Sequence, residues 1–342
     1  MRSARRQDSA PKKSSARRDR SPVVVITGAS SGIGRETARR YARRGARLVL
    51  ASRSRSALDT VAAECRDAGG EALVVPTDVT DEAAVQALAA AAVAEFGRID
   101  VWVGNASVFA YGEFETLPSD VFRQVVETTL MGQVHGARAV LPHLRRQGGG
   151  SLILVGSLYS RMGSPAISPY VTSKFALLGF AECLRQELRG SGIRLRVVLP
   201  ATIDTPIFRH AANFTGRQIR PLPPAVSPKR VARAIERAPR RRRHNAFVGR
   251  MQTAVLPIHD FSPRMFDAIA SWLMEHVELH GRDPGTSLGT VFEAPAAAGA
   301  VVGGWRSGRL RVLLVATAAA AVGLAAMATG RSAGGAASRL RA

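Results

Sequence analysis

The sequence predicts an α/β protein: a doubly wound parallel sheet in a three-layer α/β/α arrangement. Three observations lead there. Short runs of apolar and β-branched residues alternate with segments of helical period along most of the 342 residues. Most of those runs are apolar throughout rather than at every second residue, the pattern of strands buried on both faces. A glycine-rich turn joins the first run to the first helical segment, where such sheets open a crevice.

Strands are expected at Val23–Thr27, Leu48–Ala51, Ala72–Val75, Ile99–Val103, Leu152–Val155 and Leu195–Leu199. Helices are expected near Gly34–Arg44, Ser56–Ala68, Asp81–Phe96, Ser119–Gln147 and Val171–Ser191. Strand–helix alternation implies right-handed crossovers. Phe247–Val248, after the Arg240–Arg243 cluster, reads as a last edge strand. The proline-rich stretch 200–227 follows the sixth strand at the carboxyl edge and reads as a loop over a substrate cleft. Residues 262–280 read as a helix with Met265, Ile269, Trp272, Leu273 and His276 on one face. His276 and His280 lie one turn apart without further ligands, so no metal is expected.

The chain divides into a basic tail (1–22), a main domain (23–255), a C-terminal helical extension (256–290), a linker (291–311), a candidate transmembrane helix (312–330) and a second basic tail (331–342). Formal net charge is +22, from 48 basic and 26 acidic residues, and lysine supplies only four of the 48. About half of the excess lies in the first 22 and last 52 residues, which favours solvated tails over a charged fold. No apolar run follows the N-terminal charges, so no signal peptide is read there. Two cysteines, Cys65 and Cys183, make no disulfide framework or zinc spacing. A cytoplasmic main domain is the expectation. No aromatic base-stacking motif accompanies the charge, and no nucleic-acid partner is expected. Val312–Gly330 is a 19-residue uncharged run that as a helix would span about 28 Å, close to the hydrocarbon thickness of a bilayer. Eight of its residues are alanine, which weakens insertion. Membrane anchorage through this helix is the expectation to test.

The first strand ends in Thr27-Gly28-Ala29-Ser30-Ser31-Gly32-Ile33-Gly34. Gly28 allows a sharp turn, Gly32 allows close approach of a pyrophosphate, and Gly34 lets the helix pack near the sheet. The helix N-terminus then offers free N–H groups to phosphate. Downstream, Ser157 precedes Tyr170 by thirteen residues, and Lys174 follows Tyr170 at i+4 on the same helix face.

These features together resemble the short-chain dehydrogenase/reductase family, whose nucleotide loop reads T-G-x-x-x-G-x-G and whose catalytic motif reads Y-x-x-x-K. The resemblance covers about residues 22–250 and implies a Rossmann-type catalytic domain that moves a hydride between nicotinamide and a carbonyl or alcohol. It makes Tyr170 the general acid/base, with Lys174 lowering its pKa and holding the nicotinamide ribose, and Ser157 orienting the substrate oxygen. Ser30, Ser31, Gly32, Ile33 and Gly34 would meet the pyrophosphate. Asp78-Val79 matches the pair at the adenine, and Asn105-Ala106 sits where the family reads N-N-A-G. Pro200, Ile203 and Thr205 belong to a P-x-x-x-x-T-P stretch beside the nicotinamide. Thr129 takes the place of an asparagine that holds a water in a proton relay. The resemblance also implies a homodimer or homotetramer.

Cofactor choice is readable at the end of the second strand. An acid there binds the ribose 2′-hydroxyl of NAD. This chain has Ser52 and Arg53, so NADP(H) is expected over NAD(H), with Arg53 pairing the 2′-phosphate. Apolar Val108, Phe109, Met162, Ile207, Phe208 and Phe214 suggest a hydrophobic substrate. The competing readings are a non-catalytic nucleotide-binding scaffold on the same fold, motivated by Thr129 and the altered Gly104–Ser107 stretch, and a nucleic-acid-binding protein, motivated by charge alone.

Overall fold

The computed structural model describes residues 21–339 apart from 283, 284, 296, 306 and 307. The basic tail expected over 1–22 lies outside the described residues up to position 20, and 340–342 lie outside them too.

The first half alternates as expected: β1 (Val23–Thr27), α1 (Gly32–Ala42), β2 (Arg47–Ser52), α2 (Arg55–Asp67), β3 (Glu71–Pro76), α3 (Glu82–Phe96) and β4 (Val101–Gly104). A short β5 (Ala110–Tyr111) precedes α4 (Ser119–Val126), a π-helical turn at Glu127–Met131 and α5 (Gly132–Arg146). Then come β6 (Gly150–Val155), α6 (Ser168–Glu187) and β7 (Ile193–Pro200). The seven-stranded sheet runs β10-β7-β6-β4-β1-β2-β3, all parallel. Its edge strand β10 (Asn245–Val248) contains the expected Phe247–Val248.

Every residue of β1 is buried, which explains its unbroken apolar run. One face of the sheet packs on α1, α2 and α7 (Pro228–Arg237), through Tyr41, Leu58, Val61, Val231 and Ile235. The other packs on α3, α5 and α6, through Leu88, Val140, Leu144, Leu177 and Leu184. Arg40 on α1 and Arg44 in the turn after it both pair with the buried Glu236 of α7, tying two helices of one layer.

The 200–227 stretch is more ordered than its proline content suggests. It holds β8 (Ala212–Asn213), paired with β5, and β9 (Gln218–Ile219), and Ile203 bridges to Val226. The C-terminal extension adds α8 (Arg250–Thr253), α9 (Leu256–Phe261), α10 (Pro263–Leu273), a π-turn at Met274–Glu278, and β11 (Leu279–His280) paired with β9. The helix expected over 262–280 therefore ends early: its last two residues turn into a strand because Ile219 and Gln218 offer an edge.

Residues 291–311, read as a linker, form a strap along the carboxyl edge of the sheet as far as Trp305. The strap begins where Ser287 exchanges main-chain hydrogen bonds with Asn213. Arg35 Nη1 donates to Gly299 O (2.8 Å), and Gly32 N donates to Ala300 O (3.1 Å). The buried Asp204 carboxylate accepts from Gly303 N (3.0 Å) and Trp305 N (2.8 Å), while Trp305 Nε1 donates to Thr205 O (2.9 Å). An alanine- and glycine-rich composition hides this because the strap is held by its main chain.

The last element, α11 (Arg309–Arg339), contains the expected 312–330 run. It lies against α10, where Gly323 comes so close to Met265 and Ile269 that a Cβ would crowd both. Only 6% of the Arg311–Ala328 window is buried, and its mean hydropathy is 1.9. Among the described residues it is the one helix long and apolar enough to cross a membrane.

Asp204→Ala removes the acceptor of two strap N–H groups. Stability is expected to fall by about 1–3 kcal/mol, read by denaturant unfolding, with faster protease cleavage within 290–305. Unaltered cleavage there would mean the strap is held by other contacts.

Candidate active site

The site lies where β1 and β4 part, at the carboxyl ends of the strands. Gly28 turns the chain off β1 at φ +66°, and a side chain there would run into Ala106. Asn105 Nδ2 donates to Thr27 O and Gly28 O, both at 3.1 Å, and Thr27 Oγ1 accepts from Asn105 N (3.0 Å) and Ala106 N (3.2 Å). Helix α1 then starts against the sheet, since a Cβ on Gly34 would collide with the Gly28 carbonyl. Ser31, its N-cap, makes no side-chain capping bond, and Arg35 N is the first to enter the helical ladder, donating to Ser31 O. The Ile33 N–H thus belongs to a first turn without intrahelical acceptors, beside a cleft lined by Ser30, Ser31, Gly32 and Ile33. This glycine cradle at a positive helix end fits a dinucleotide pyrophosphate.

Farther along the same cleft lie Ser52, Arg53, Asp78 and Val79. No carboxylate stands at residue 52, as the sequence says. Arg53 differs from the simple expectation of a free guanidinium. Its Nη1 donates to Val291 O (3.3 Å) and Phe292 O (2.6 Å), and its Nη2 to Thr290 O (2.7 Å) and Glu293 O (3.1 Å). The strap supplies these carbonyls, and Thr290, Ala294 and Pro295 form part of the cleft wall. Asp78 favours the Arg53 charge, although burial acts more strongly and lowers its pKa. The Asp78 carboxylate also accepts from Thr80 N and Thr80 Oγ1.

The catalytic group follows β6. Ser157 sits just past the strand, and its Oγ accepts from Tyr159 N (3.2 Å), capping the short 158–160 turn. Tyr170 and Lys174 stack on the first turns of α6, with Lys174 Nζ 5.4 Å from the Tyr170 ring centroid and donating to Val155 O (2.9 Å). Ser157 lies near enough to the Tyr170 phenol to favour its ionised form. All three are buried and line the cleft.

The pKa expectation needs correction. Burial pushes the Tyr170 phenol up to about 12, against the lowering effect of Ser157, and pushes Lys174 down to about 7. Removal from water penalises each charged form. The sequence reveals the ammonium four residues away but not this burial.

Thr129 also differs. It lies in the π-turn, fully buried, with its hydroxyl shared among Ser107 Oγ (3.2 Å), Val108 N (3.3 Å) and Val108 O (3.3 Å). It props the 107–108 loop and is absent from the cleft wall, where its neighbour Thr128 stands instead. Thr128 Oγ1 is buried without a partner among the described residues.

Beyond Tyr170 the cleft widens into a lobe walled by Val108, Phe109, Met162, Ile207, Phe208 and Leu222. Phe214 packs against that cluster from outside the cleft wall. Tilted ring contacts continue from the catalytic tyrosine: Phe109 lies 4.1 Å from Tyr170 and 4.9 Å from Tyr111 between centroids. The cleft lining also includes Glu278, which sequence reasoning missed. It is 4% exposed and accepts from Tyr111 Oη (3.3 Å). No spacing links it to Tyr170, because it arrives from the C-terminal extension.

Comparison with known proteins agrees with this geometry. The short chain dehydrogenase family model matches residues 22–215. The chain belongs to the short-chain dehydrogenase family. An uncharacterized oxidoreductase, YxnA of Bacillus subtilis, is 35% identical over 266 residues, 77% of this chain and 74% of that protein. The cis-4-hydroxycyclohexanecarboxylate dehydrogenase of Sinomonas cyclohexanicum is 37% identical over 219 residues, 62% of this chain and 87% of that one. Among solved structures, a family member from Burkholderia phymatum in complex with NAD aligns at TM-score 0.64 and 27% identity, covering 72% of this chain and 95% of that one. An alcohol dehydrogenase from Thermococcus sibiricus, complexed with 5-hydroxy-NADP, aligns at TM-score 0.58 and 28% identity, covering 66% and 95%. As a short-chain dehydrogenase, the protein is an oxidoreductase acting on alcohol and carbonyl groups.

Of the residues read from sequence, Gly28, Ser30, Ser31, Gly32, Ile33, Ser52, Arg53, Asp78, Val79, Asn105, Ala106, Ser157, Tyr170, Lys174, Pro200, Ile203 and Thr205 line one cleft. Gly34 lies just behind it as packing, and Thr129 is set back.

Glu278 gives a stability test. Burial raises its carboxyl to about 7, against the lowering effect of Tyr111 and Tyr159. The folded chain therefore keeps a proton that the unfolded chain releases above its ordinary value of 4.5. The associated stability is present at lower pH and is lost as pH rises through about 7. Glu278→Gln, which mimics the neutral acid, should gain in melting temperature over wild type as pH rises from 4.5 to 7. A pH-independent gap in thermal melts would contradict this.

Proposed function

We propose that the protein is an NADP(H)-dependent oxidoreductase that interconverts an apolar carbonyl compound and its alcohol. The observation that carries this reading is the buried Ser157–Tyr170 hydroxyl pair beside Lys174, set between the glycine cradle and an apolar lobe. The dinucleotide would be held by the first turn of α1, Asn105-Ala106, Asp78-Val79 and the Pro200–Thr205 stretch, with its nicotinamide at Tyr170. Bound there, it would supply or accept the hydride.

The remaining chemistry belongs to the chain. Ser157 Oγ donates to the substrate oxygen and fixes its position. Tyr170 Oη gives its proton to that oxygen during reduction and takes it back during oxidation. Its raised pKa keeps the phenol protonated at neutral pH, which suits the reducing direction. Lys174, anchored on Val155 O, stands over the phenol ring and offers its other N–H groups to the ribose. The apolar walls of the lobe exclude water from the reacting carbon.

The preference for NADP(H) is supported by the missing carboxylate at Ser52 and by the positive charge of Arg53 in the cleft wall, which would pair with a 2′-phosphate by exchanging its strap carbonyl partners for phosphate oxygens. A membrane association is supported by α11, whose Arg311–Ala328 segment is apolar, with Gly323 its one buried residue and more than half of the others exposed. The scaffold reading is disfavoured by the assembly of all three catalytic side chains in the cleft.

Two measurements test the proposal. In fluorescence titrations NADPH should bind more tightly than NADH, and Arg53→Ala should reduce that preference by roughly ten- to hundredfold; an unchanged ratio would remove Arg53 from cofactor selection. Tyr170→Phe should lower the turnover of an apolar ketone by about 10²–10⁴-fold while NADPH still binds. Turnover at the wild-type rate would exclude Tyr170 as the proton donor.

A further inference from the structure

We propose that Glu278, with Tyr111 and Tyr159, forms a polar subsite in the wall of the substrate cleft. It selects carbonyl or alcohol substrates whose apolar body carries a second hydrogen-bond donor, a hydroxyl or an ammonium, away from the reacting carbon. The nature of the reacting carbon rests on the oxidoreductase reading above; the donor requirement rests on the side chains themselves.

Glu278 closes the π-turn after α10 and lies outside the 22–215 stretch that carries the family pattern. It is a buried carboxyl in the wall of a cleft whose neighbouring surfaces are Phe109, Met162, Ile207, Phe208 and Leu222. Burying such a group is costly unless partners replace water. Among the described residues no lysine, arginine or histidine side chain forms an ion pair with it. Arg220 meets Glu278 only through its main-chain N–H, which donates to the Glu278 carbonyl. Two neutral phenols stand at the carboxyl instead: Tyr111 donates to it (3.3 Å), and Tyr159 lies beside it. A carboxylate has about four acceptor positions, so two tyrosines leave acceptor capacity beside the cleft. A carboxyl that merely fastened the extension to the core would not need a place in the cleft wall.

The geometry sets where the donor must be. Phe109 lies between Tyr170 and Tyr111, in ring contact with both, and Tyr159 meets Tyr170 edge-on at 6.4 Å. The carboxyl is thus separated from the proton-transfer hydroxyl by about one aromatic ring of apolar wall. A substrate body of that breadth, apolar along Phe109 and ending in a donor, satisfies the lobe and Glu278 together. An ordinary apolar ketone would leave the carboxyl with its acceptors unmet.

The test uses the full wild-type chain with NADP⁺, which forms a dead-end complex with a ketone and so reports binding without turnover. Calorimetry compares 4-phenylbutan-2-one with its para-hydroxy and para-aminomethyl analogues. At pH 8, above the value of about 7 to which burial raises the Glu278 carboxyl, at least one analogue should bind about tenfold or more tightly than the parent, as a hydrogen bond to a charged group supplies. The two arms distinguish a hydroxyl from an ammonium as the preferred donor. Glu278→Met should bring all three ketones to within roughly threefold of one another. Glu278→Gln, if the methionine variant does not fold, should reduce the preference in the same sense. A merely structural carboxyl would alter stability without reordering the ligands. Equal affinity of the three ketones for the wild type, including no uptake of any, overturns the proposal, as does a preference that survives Glu278→Met. The initial NADP⁺ titration reports separately on the oxidoreductase reading. Should it fail, the ketone ranking without nucleotide still decides the role of Glu278.

Discussion

The junction between Thr27 and Asn105 governs this site. At the point where successive strands wind in opposite directions, β1 and β4 end side by side and their chains must leave toward opposite layers. Thr27 and Asn105 join them with four hydrogen bonds, two to the threonine hydroxyl and two from the asparagine amide. That network satisfies main-chain groups that would otherwise be buried and unpaired. It also places the glycine cradle and the 105–108 loop on facing sides of one crevice. Ser157, following the neighbouring β6, then falls within reach of the same space.

Burial sets the chemistry inside the crevice. Tyr170, Lys174 and Glu278 are ionisable groups held away from water, and each is displaced toward its neutral form. Neutral forms suit a site that must pass one proton to a substrate oxygen while excluding bulk water. The apolar lobe and the polar catalytic group are therefore aspects of one desolvated environment. Phe109, in contact with both tyrosines, is the side chain through which they join.

Much of this was legible in the sequence. Each principal strand showed as an apolar run because a parallel sheet covered on both faces admits few polar side chains. The octet at Thr27–Gly34 and the Tyr170–Lys174 pair were legible because local geometry fixes their spacing. The missed features depend on long-range contact. Glu278 reaches the lobe from a turn 108 positions beyond Tyr170, and no periodicity announces it. The strap reads as a linker because, Trp305 and the buried Val291 apart, most of its contacts are made by carbonyls and amides, which every sequence has. Thr129 resembled a site residue by alignment, but its short side chain ends at Ser107 and Val108 before reaching the cleft.

The strap has a consequence for how the molecule is made. Arg35 and Gly299, hydrogen-bonded in the finished fold, stand 264 residues apart in the chain. A ribosome delivers the sheet and the catalytic tyrosine well before it delivers the segment that walls the nucleotide cleft. The nascent domain can therefore bury its core early, since domains fold as units during synthesis, while its cleft stays incomplete. Closing so long a loop is slow relative to local structure. Maturation of the cleft thus waits for the strap, and a polypeptide ended before it would carry the full catalytic group behind an unfinished wall.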